Sequence, residues 1–243
     1  MKFFYILIIL TVIILAPSSL KAEDFIEWQT TNIQLLRGHD YQLGDKYRTI
    51  TTLEHANKWR YGDFYGFIDL TLPETDKSTY YTELSPRLSL SRVLNKDLSF
   101  GPVKDILIAT TFEKAKNFGP QYLYGLGFDL DIPTFTFATL NFYIHENTQK
   151  PDTTWQTTFA WKKPLNLFEE NFVIEGFADF QGREGASQAN QLIVPRFLWN
   201  ASDTFNIKEN KLFIGIEYQY WHNKFGVDGV TESVPQLQMK LVF

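Results

Sequence analysis

The sequence predicts an all-β protein: a single transmembrane antiparallel β-barrel of the outer-membrane type, with about twelve strands. Three observations support this prediction: runs in which apolar and polar residues alternate, turn-forming segments that separate those runs, and an aromatic residue at the end of the last run. An even number of strands of about 9–11 residues each is typical of such barrels. Closure of the sheet allows strands to cross lipid, because it leaves no backbone edge unpaired.

The first segment is interpreted as a signal peptide, residues 1–22, whose removal leaves 23–243 as the transmembrane β-barrel. Lys2 supplies the positive charge, and 3–16 is an almost unbroken apolar run. This run is shorter than the about 20 residues that a membrane-spanning helix needs. Leu20 fits the small-residue cleavage rule poorly, which leaves the exact cleavage site open. An uncleaved anchor helix is the alternative to a cleaved signal.

The composition excludes several functional classes. The chain has 28 Asp+Glu against 23 Lys+Arg, no Cys, and 22 Phe, 12 Tyr and 6 Trp. Without cysteine, the protein has no disulfides, thiolate nucleophiles, Cys-ligated zinc or iron–sulfur clusters. The acidic balance and the lack of a Lys/Arg cluster argue against nucleic acid as a partner, because phosphate binding needs concentrated positive charge.

The alternation locates the strands one by one. In the last segment Leu237, Met239, Leu241 and Phe243 share one face, and polar residues occupy the other. Other segments along the chain show the same period of two, and turns rich in Gly, Pro, Asn and Asp separate these segments. The predicted strands are 25–36, 47–57, 61–70, 78–94, 106–114, 121–130, 134–146, 153–163, 171–181, 189–199, 211–223 and 234–243.

Three segments depart from this pattern. Phe135 and Phe137 have the opposite parity to the apolar residues that follow them, which predicts a bulge in that strand. The run 191–199 is apolar on both faces apart from Arg196, and 99–105 makes a longer turn than periplasmic connections usually have. Counts of ten or fourteen strands therefore stay open.

The alternative fold is a secreted β-sandwich, in which alternation also occurs. Two features favour the barrel. The polar faces are repeatedly charged, and the last strand ends on Phe243, a terminal aromatic of the kind that bacterial barrels present to their assembly machinery. The protein is accordingly expected in the bacterial outer membrane.

Five short segments occur in the order found in one known family. They are 63–69 (DFYGFID), 83–89 (ELSPRLS), 95–102 (NKDLSFGP), 124–131 (YGLGFDLD) and 220–222 (YWH). Together they resemble the nucleoside-specific channels of bacterial outer membranes, the Tsx-like porins, and the related vibrio phage-receptor porins. The resemblance implies a twelve-stranded monomeric barrel with a narrow, polar, aromatic-bearing lumen, which conducts nucleosides and deoxynucleosides by facilitated diffusion.

Strand parity nominates the residues that line this lumen. A charge that faces lipid near the membrane midplane costs about 2–4 kcal/mol, so the strand faces that carry charged residues are expected to point inward. These polar faces include Glu54, Gln219 and Lys240. Inward aromatic rings could stack on a nucleobase, and carboxylates could accept hydrogen bonds from ribose hydroxyls. The predicted ligand-binding residues are Asp63, Tyr65, Phe67, Glu83, Arg87, Glu175, Phe177, Asp179, Glu217 and Trp221.

Each assignment has a purely structural alternative. Glu83 and Arg87, four residues apart on one face, either bind solute or neutralise each other and a neighbouring strand. The inward aromatic residues either stack on solute or simply fill a narrow lumen. On the lipid face, Tyr218, Tyr220 and Trp155 are expected to belong to an interfacial girdle.

Two functions remain open: a channel for nucleosides or similar small polar solutes, and an adhesin or receptor-like barrel with a filled lumen that phage or bacteriocins bind. The outward loops look short, which favours the channel. An enzyme is not expected, because the sequence has no G-x-S-x-G motif and its four histidines lie in separate segments without metal-ligand spacing. We therefore predict no catalytic residue, metal or cofactor. Besides solutes, the expected partners are outer-membrane lipid and lipopolysaccharide and the barrel assembly machinery; a monomer is expected.

Overall fold

The fold is a closed barrel of twelve antiparallel strands. The structure is a computed structural model that describes residues 25–243, and the predicted signal peptide lies outside this range. The strands are β1 (Ile26–His39), β2 (Tyr47–Trp59), β3 (Gly62–Pro73), β4 (Thr79–Ser89), β5 (Val103–Ala115), β6 (Gln121–Leu130), β7 (Phe137–Asn147), β8 (Thr153–Leu167), β9 (Glu170–Gln181), β10 (Asn190–Asn200), β11 (Leu212–His222) and β12 (Glu232–Val242). The barrel prediction and the count of twelve are confirmed.

Each strand pairs with its neighbours in sequence, and β1 closes the ring by pairing with β12. The closing register runs from Asn32 opposite Val242 to Gly38 opposite Gln236. No strand in the described residues is left with an unpaired edge, as a structure in lipid requires.

The barrel has two distinct ends. β1 begins and β12 finishes at one of them, which we call the terminal end; its connections are 60–61, 90–102, 131–136, 168–169 and 201–211. The opposite end, the loop end, carries 40–46, 74–78, 116–120, 148–152, 182–189 and 223–231. The loops at the loop end are short, as expected from the sequence.

The outer face is apolar over the middle of the strands. Large side chains that would be unfavourable in water cover it, among them Ile33, Leu35, Leu53, Leu70, Leu84, Ile108, Leu126, Phe142, Ile144, Phe197, Ile216, Leu237 and Met239. Outward charges such as Arg37, Lys114 and Glu146 lie close to the ends of their strands. This distribution matches a lipid-facing band, since charge there is costly only near the midplane.

Two local predictions were wrong. Residues 90–94 form a short helix, α1 (Leu90–Leu94), instead of extending the fourth strand, because the Ser89 side chain caps the helix by accepting a hydrogen bond from the Arg92 backbone N–H. The bulge expected near Phe137 is absent, since Phe135 belongs to the preceding connection and β7 keeps a continuous register with both neighbours.

The run that is apolar on both faces is β10. Its inward residue Leu198 packs with Val173 and Phe213 in a small apolar cluster inside the barrel, near the terminal end. The apolar inward face therefore fills part of the interior, and the outward face meets lipid. No helix among residues 25–243 is long and apolar enough to span a membrane.

Candidate functional site: the barrel lumen

Strand pairing places all ten predicted lumen residues on the inner face. Glu54 of β2 stands opposite Phe67 of β3, and Phe67 stands opposite Glu83 of β4, so one face continues around the wall. Glu175 and Glu217 are buried, whereas the other eight are partly accessible, with Tyr65 the most open at 36%. Whether any of them binds a solute stays a prediction.

A group of charged side chains meets inside the barrel at Arg196. The Arg196 Nε lies 2.6 Å from a Glu217 oxygen, and Nη1 lies 3.8 Å from Glu175 and 3.9 Å from Glu54. Lys240 contacts the same two glutamates, at 2.7 Å from Glu175 and 3.7 Å from Glu54. We call these five residues the cross-lumen cluster.

The cluster joins distant parts of the wall. Arg196 is on β10 and Glu54 is on β2, and three strands, β11, β12 and β1, separate them along the shorter arc of the ring. Their contact therefore spans the interior and does not follow the sheet. None of the five side chains is more than 15% accessible. The cross-lumen cluster consequently occupies the interior between β2 and β10.

A second arginine makes ion pairs along the wall. Arg87 donates to Asp63 through Nε at 2.8 Å and Nη2 at 2.7 Å, and Nη2 lies 2.9 Å from Asp129. Arg87 is on β4, and its partners come from β3 and β6, which are close to β4 in the ring. We call Asp63, Arg87 and Asp129 the wall cluster.

The wall cluster corrects one of the structural alternatives. Arg87 does not neutralise Glu83; its carboxylate partners are on other strands. Glu83 instead accepts a hydrogen bond from the Tyr81 hydroxyl at 2.5 Å. Residues four apart on a strand are too far separated for an ion pair unless their side chains bend toward each other, since each residue advances about 3.3 Å.

Three inward aromatic rings form a continuous strip. Tyr65 and Phe67 have ring centroids 5.9 Å apart, and Phe67 and Tyr81 are 5.8 Å apart. The Tyr65 hydroxyl also donates to Glu54 at 2.9 Å, which ties the strip to the cross-lumen cluster. These three residues, the aromatic strip, offer π-surface beside hydrogen-bonding carboxylates.

Four inward carboxyl groups near the strip have no basic partner in the described chain; one is Asp69, which stands opposite Tyr81 and accepts from the Thr52 hydroxyl. Glu83, Glu113 and Asp179 make no ion pair with Lys or Arg in the described chain. Instead, Thr158 donates to Asp179 at 2.5 Å and Gln121 donates to Glu113 at 3.2 Å. This stretch of the lumen therefore carries carboxyl groups whose hydrogen-bond partners are neutral side chains.

At the loop end, Lys224 is inserted into the mouth of the barrel. Its ammonium group donates to Glu232 at 2.6 Å, and both side chains are almost wholly buried. It also lies over the rings of Trp221, at 5.1 Å, and Tyr41, at 6.0 Å. Burial lowers the pKa of Lys224, and the Glu232 carboxylate opposes that shift.

Sequence reasoning missed several of these residues, among them Arg196, Tyr81 and Lys224. Arg196 was visible as the single charge in an apolar run, but a run that is apolar on both faces gave no parity by which to place it. Tyr81 shares the inward parity of Glu83 and could have been found in this way. Lys224 lies in a loop, where alternation carries no information.

A cavity of about 290 Å³ lies at the terminal end, away from the aromatic strip. Four asparagines are among its lining residues, and two pairs of them are hydrogen-bonded: Asn166 with Asn171 and Asn200 with Asn210. The recess is therefore a polar part of the rim.

The chain is similar to bacterial outer-membrane proteins. Over 172 aligned residues, the chain is 28% identical to outer membrane protein OmpK of Vibrio parahaemolyticus serotype O3:K6, and the alignment covers 64% of each protein. Another relative is the nucleoside-specific channel-forming protein Tsx of Klebsiella aerogenes, 27% identical over 145 residues, which cover 53% of this chain and 49% of that one. The chain thus spans less than two thirds of either relative. These relatives are described as channel-forming or outer-membrane proteins and not as enzymes.

A solved structure supports the fold. The KdgM porin superposes with a TM-score of 0.52 at 8% identity, over 87% of this chain and 99% of the porin. The sequence profile described as "Nucleoside-specific channel-forming protein, Tsx" matches residues 25–240, nearly the whole described barrel. The protein is accordingly located in the outer membrane, and the chain belongs to the family of Tsx nucleoside-specific channel-forming proteins.

Proposed function

We propose that the barrel is a channel for facilitated diffusion of nucleosides or similar small polar solutes. The observation that carries the proposal is the aromatic strip, in which the rings of Tyr65, Phe67 and Tyr81 adjoin the carboxylates of Glu54 and Glu83. A nucleoside presents a flat base and a ribose with several hydroxyls. Stacking of a base on an aromatic ring contributes about 1–3 kcal/mol and tolerates different bases.

The groups around the strip support selection against anions. Glu83, Glu113 and Asp179 lack basic partners in the described residues, so no Lys or Arg side chain beside them is available to stabilise a phosphate group. Nucleosides carry no phosphate, whereas nucleotides do. Conduction also requires several weak sites instead of one tight site, and a strip of separate rings provides such a series.

The proposal is tested by electrophysiology of the purified protein in planar bilayers. Adenosine and thymidine are expected to reduce the KCl current at concentrations at which glucose, glycine and AMP do not. Tyr65→Ala and Trp221→Ala should weaken this block about tenfold, the loss expected from one stacking contact. Trp155→Ala, which removes a lipid-facing ring that is 55% exposed, is the matched control and should leave the block unchanged.

Two outcomes would contradict the proposal. Equal permeation by all five solutes would reduce the barrel to a general pore. Unchanged adenosine block in both Tyr65→Ala and Trp221→Ala would refute stacking as the basis of selection.

A further inference from the structure

Two loops at the loop end meet across the mouth of the barrel. Phe118 is in the loop 116–120 between β5 and β6, and Phe225 is in the loop 223–231 between β11 and β12. Four strands separate these loops on either side of the ring, so they are diametrically opposed. Their two rings nevertheless stack, with centroids 6.2 Å apart and planes inclined by 25°.

Phe225 makes a second aromatic contact, with a predicted solute-stacking residue. Its ring meets the Trp221 ring edge to face at a centroid distance of 4.5 Å. Trp221 is on the inner face of β11, at the point where the lumen opens. The aromatic surface that would receive a base is thus already in contact with a side chain of the protein.

The backbone around Phe225 adopts a conformation that few residues take. Phe225 has φ 56° and Asn223 has φ 48°, both in the left-handed region. For a bulky residue such as Phe this region is unfavourable and is usually maintained by surrounding contacts. Backbone strain of this kind clusters at ligand clamps and switch regions.

The loop is held firmly at its base but weakly at its tip. Next to Phe225, Lys224 is fixed by its buried ion pair with Glu232 and by a backbone hydrogen bond from its N–H to the Val230 carbonyl at 2.9 Å. By contrast, the Phe225 and Phe118 side chains are 53% and 54% exposed. Little apolar area is therefore buried by their contact, and a competing ring could replace it at low cost.

We infer that Phe225 is a gate at the loop end: with Phe118 it spans the mouth, and it covers Trp221 until an aromatic solute displaces it. The closed contact restricts ion flow in the absence of solute. The identity of the displacing solute rests on the proposed function, whereas the restriction of ion flow does not.

The first test compares variants of the full-length protein in planar bilayers in KCl alone. Phe225→Ala should raise the mean conductance about twofold or more, because it removes the ring that spans the mouth. The matched control is Phe168→Ala, at the terminal end: Phe168 also has a positive φ, 55°, and is 95% exposed, but it contacts neither mouth loop. Its conductance should equal that of the wild type. Equal conductance of Phe225→Ala and the wild type would overturn the gate.

Adenosine then separates the gate from the proposed function. Since Phe225 competes for Trp221, Phe225→Ala should tighten adenosine block about threefold to tenfold, as expected for loss of one aromatic pair. Trp221→Ala should weaken adenosine block. If adenosine blocks no variant while Phe225→Ala still conducts more, the gate stands and the nucleoside proposal fails. If adenosine blocks all variants and Phe225→Ala leaves conductance unchanged, the proposed function stands and the gate fails.

Cross-linking provides a second test, in which the same variant is measured before and after the two loops are joined. The chain has no cysteine, so the double variant Phe118→Cys/Phe225→Cys carries the only thiols. A short bis-maleimide that joins them should lower the KCl current, and the single variants treated in the same way should keep theirs. An unchanged current in the cross-linked double variant would overturn the gate.

Discussion

The two lumenal arginines are both held by carboxylates, but in different geometries. Arg87 pairs with Asp63 and Asp129 from nearby strands, so the wall cluster lies flat against the sheet. Arg196 contacts glutamates that come from β2, β9 and β11, so its cluster extends through the interior. The same chemistry thus appears in two arrangements: the wall cluster joins strands that are close together in the ring, and the cross-lumen cluster joins β2 to β10 through the interior.

The carboxylates of the wall cluster are also more accessible to solvent than those of the cross-lumen cluster. The partners of Arg87 are 25% and 28% exposed, whereas the glutamates around Arg196 are at most 11% exposed. Solvent screens the wall cluster more strongly, because water reaches its carboxylates. Removing one partner of an ion pair that is buried away from water is costly, because the charge of the other partner stays buried without compensation. The two sites should therefore respond differently to the same substitution.

The largest difference is expected in ion conduction. Arg196→Ala removes the side chain that joins β10 to β2 and leaves Glu54, Glu175 and Glu217 with less positive charge. We expect a rise in single-channel conductance of about twofold or more, together with stronger preference for K⁺ over Cl⁻. Bilayer recordings under a KCl gradient give both quantities.

Arg87→Ala is the matched control for this substitution. It removes the same type of side chain from the wall, so the conductance should stay close to that of the wild type. Equal increases in the two variants would show that the cross-lumen contact does not set the width of the passage.

A smaller effect is expected from Lys240. Lys240→Met removes the 2.7 Å contact to Glu175, but Lys162 at 3.5 Å and Arg196 at 3.8 Å still face that carboxylate. The cluster therefore continues to span the interior, and the main change is the loss of one positive charge. The K⁺/Cl⁻ permeability ratio should rise about twofold with little change in conductance, because cation selectivity follows the charge that lines the pore.

Lys163 offers a control for this charge effect. It neighbours inward Lys162 on β8 and therefore faces outward. Lys163→Met should leave the permeability ratio unchanged. If it shifts the ratio as much as Lys240→Met, the selectivity does not arise from the lumenal charge.

The sequence predicted the wall of this barrel better than its interior contacts. Alternation has a period of two, and a strand that separates lipid from a polar lumen shows this period directly, so Glu83 and Glu217 were placed on the correct face. Helix α1 interrupted the pattern and was missed, because five residues are too few to show a helical period.

Contacts across the interior could not be predicted in this way. Parity gives the face on which Glu54 and Arg196 lie, but the contact between them depends on barrel diameter, strand tilt and stagger. These quantities arise from the pairing of all twelve strands, including the closure of β1 on β12. The stacking of Phe118 on Phe225 likewise depends on two loops that only ring closure places opposite each other.

The smallest expected effect separates charge from geometry at the wall cluster. Arg87→Lys keeps the positive charge but loses the two parallel hydrogen bonds to Asp63, since an ammonium group does not match a carboxylate with two donors in a plane. The free energy of unfolding should fall by about 1–2 kcal/mol, less than for Arg87→Ala, because the charge remains and one hydrogen bond contributes about 1 kcal/mol. Urea unfolding in detergent, followed by the heat-dependent shift in gel mobility that folded barrels show, measures this change. Conductance should stay constant, and a stability loss equal to that of Arg87→Ala would mean that the paired geometry, and not the charge, holds β3 to β4 and β6.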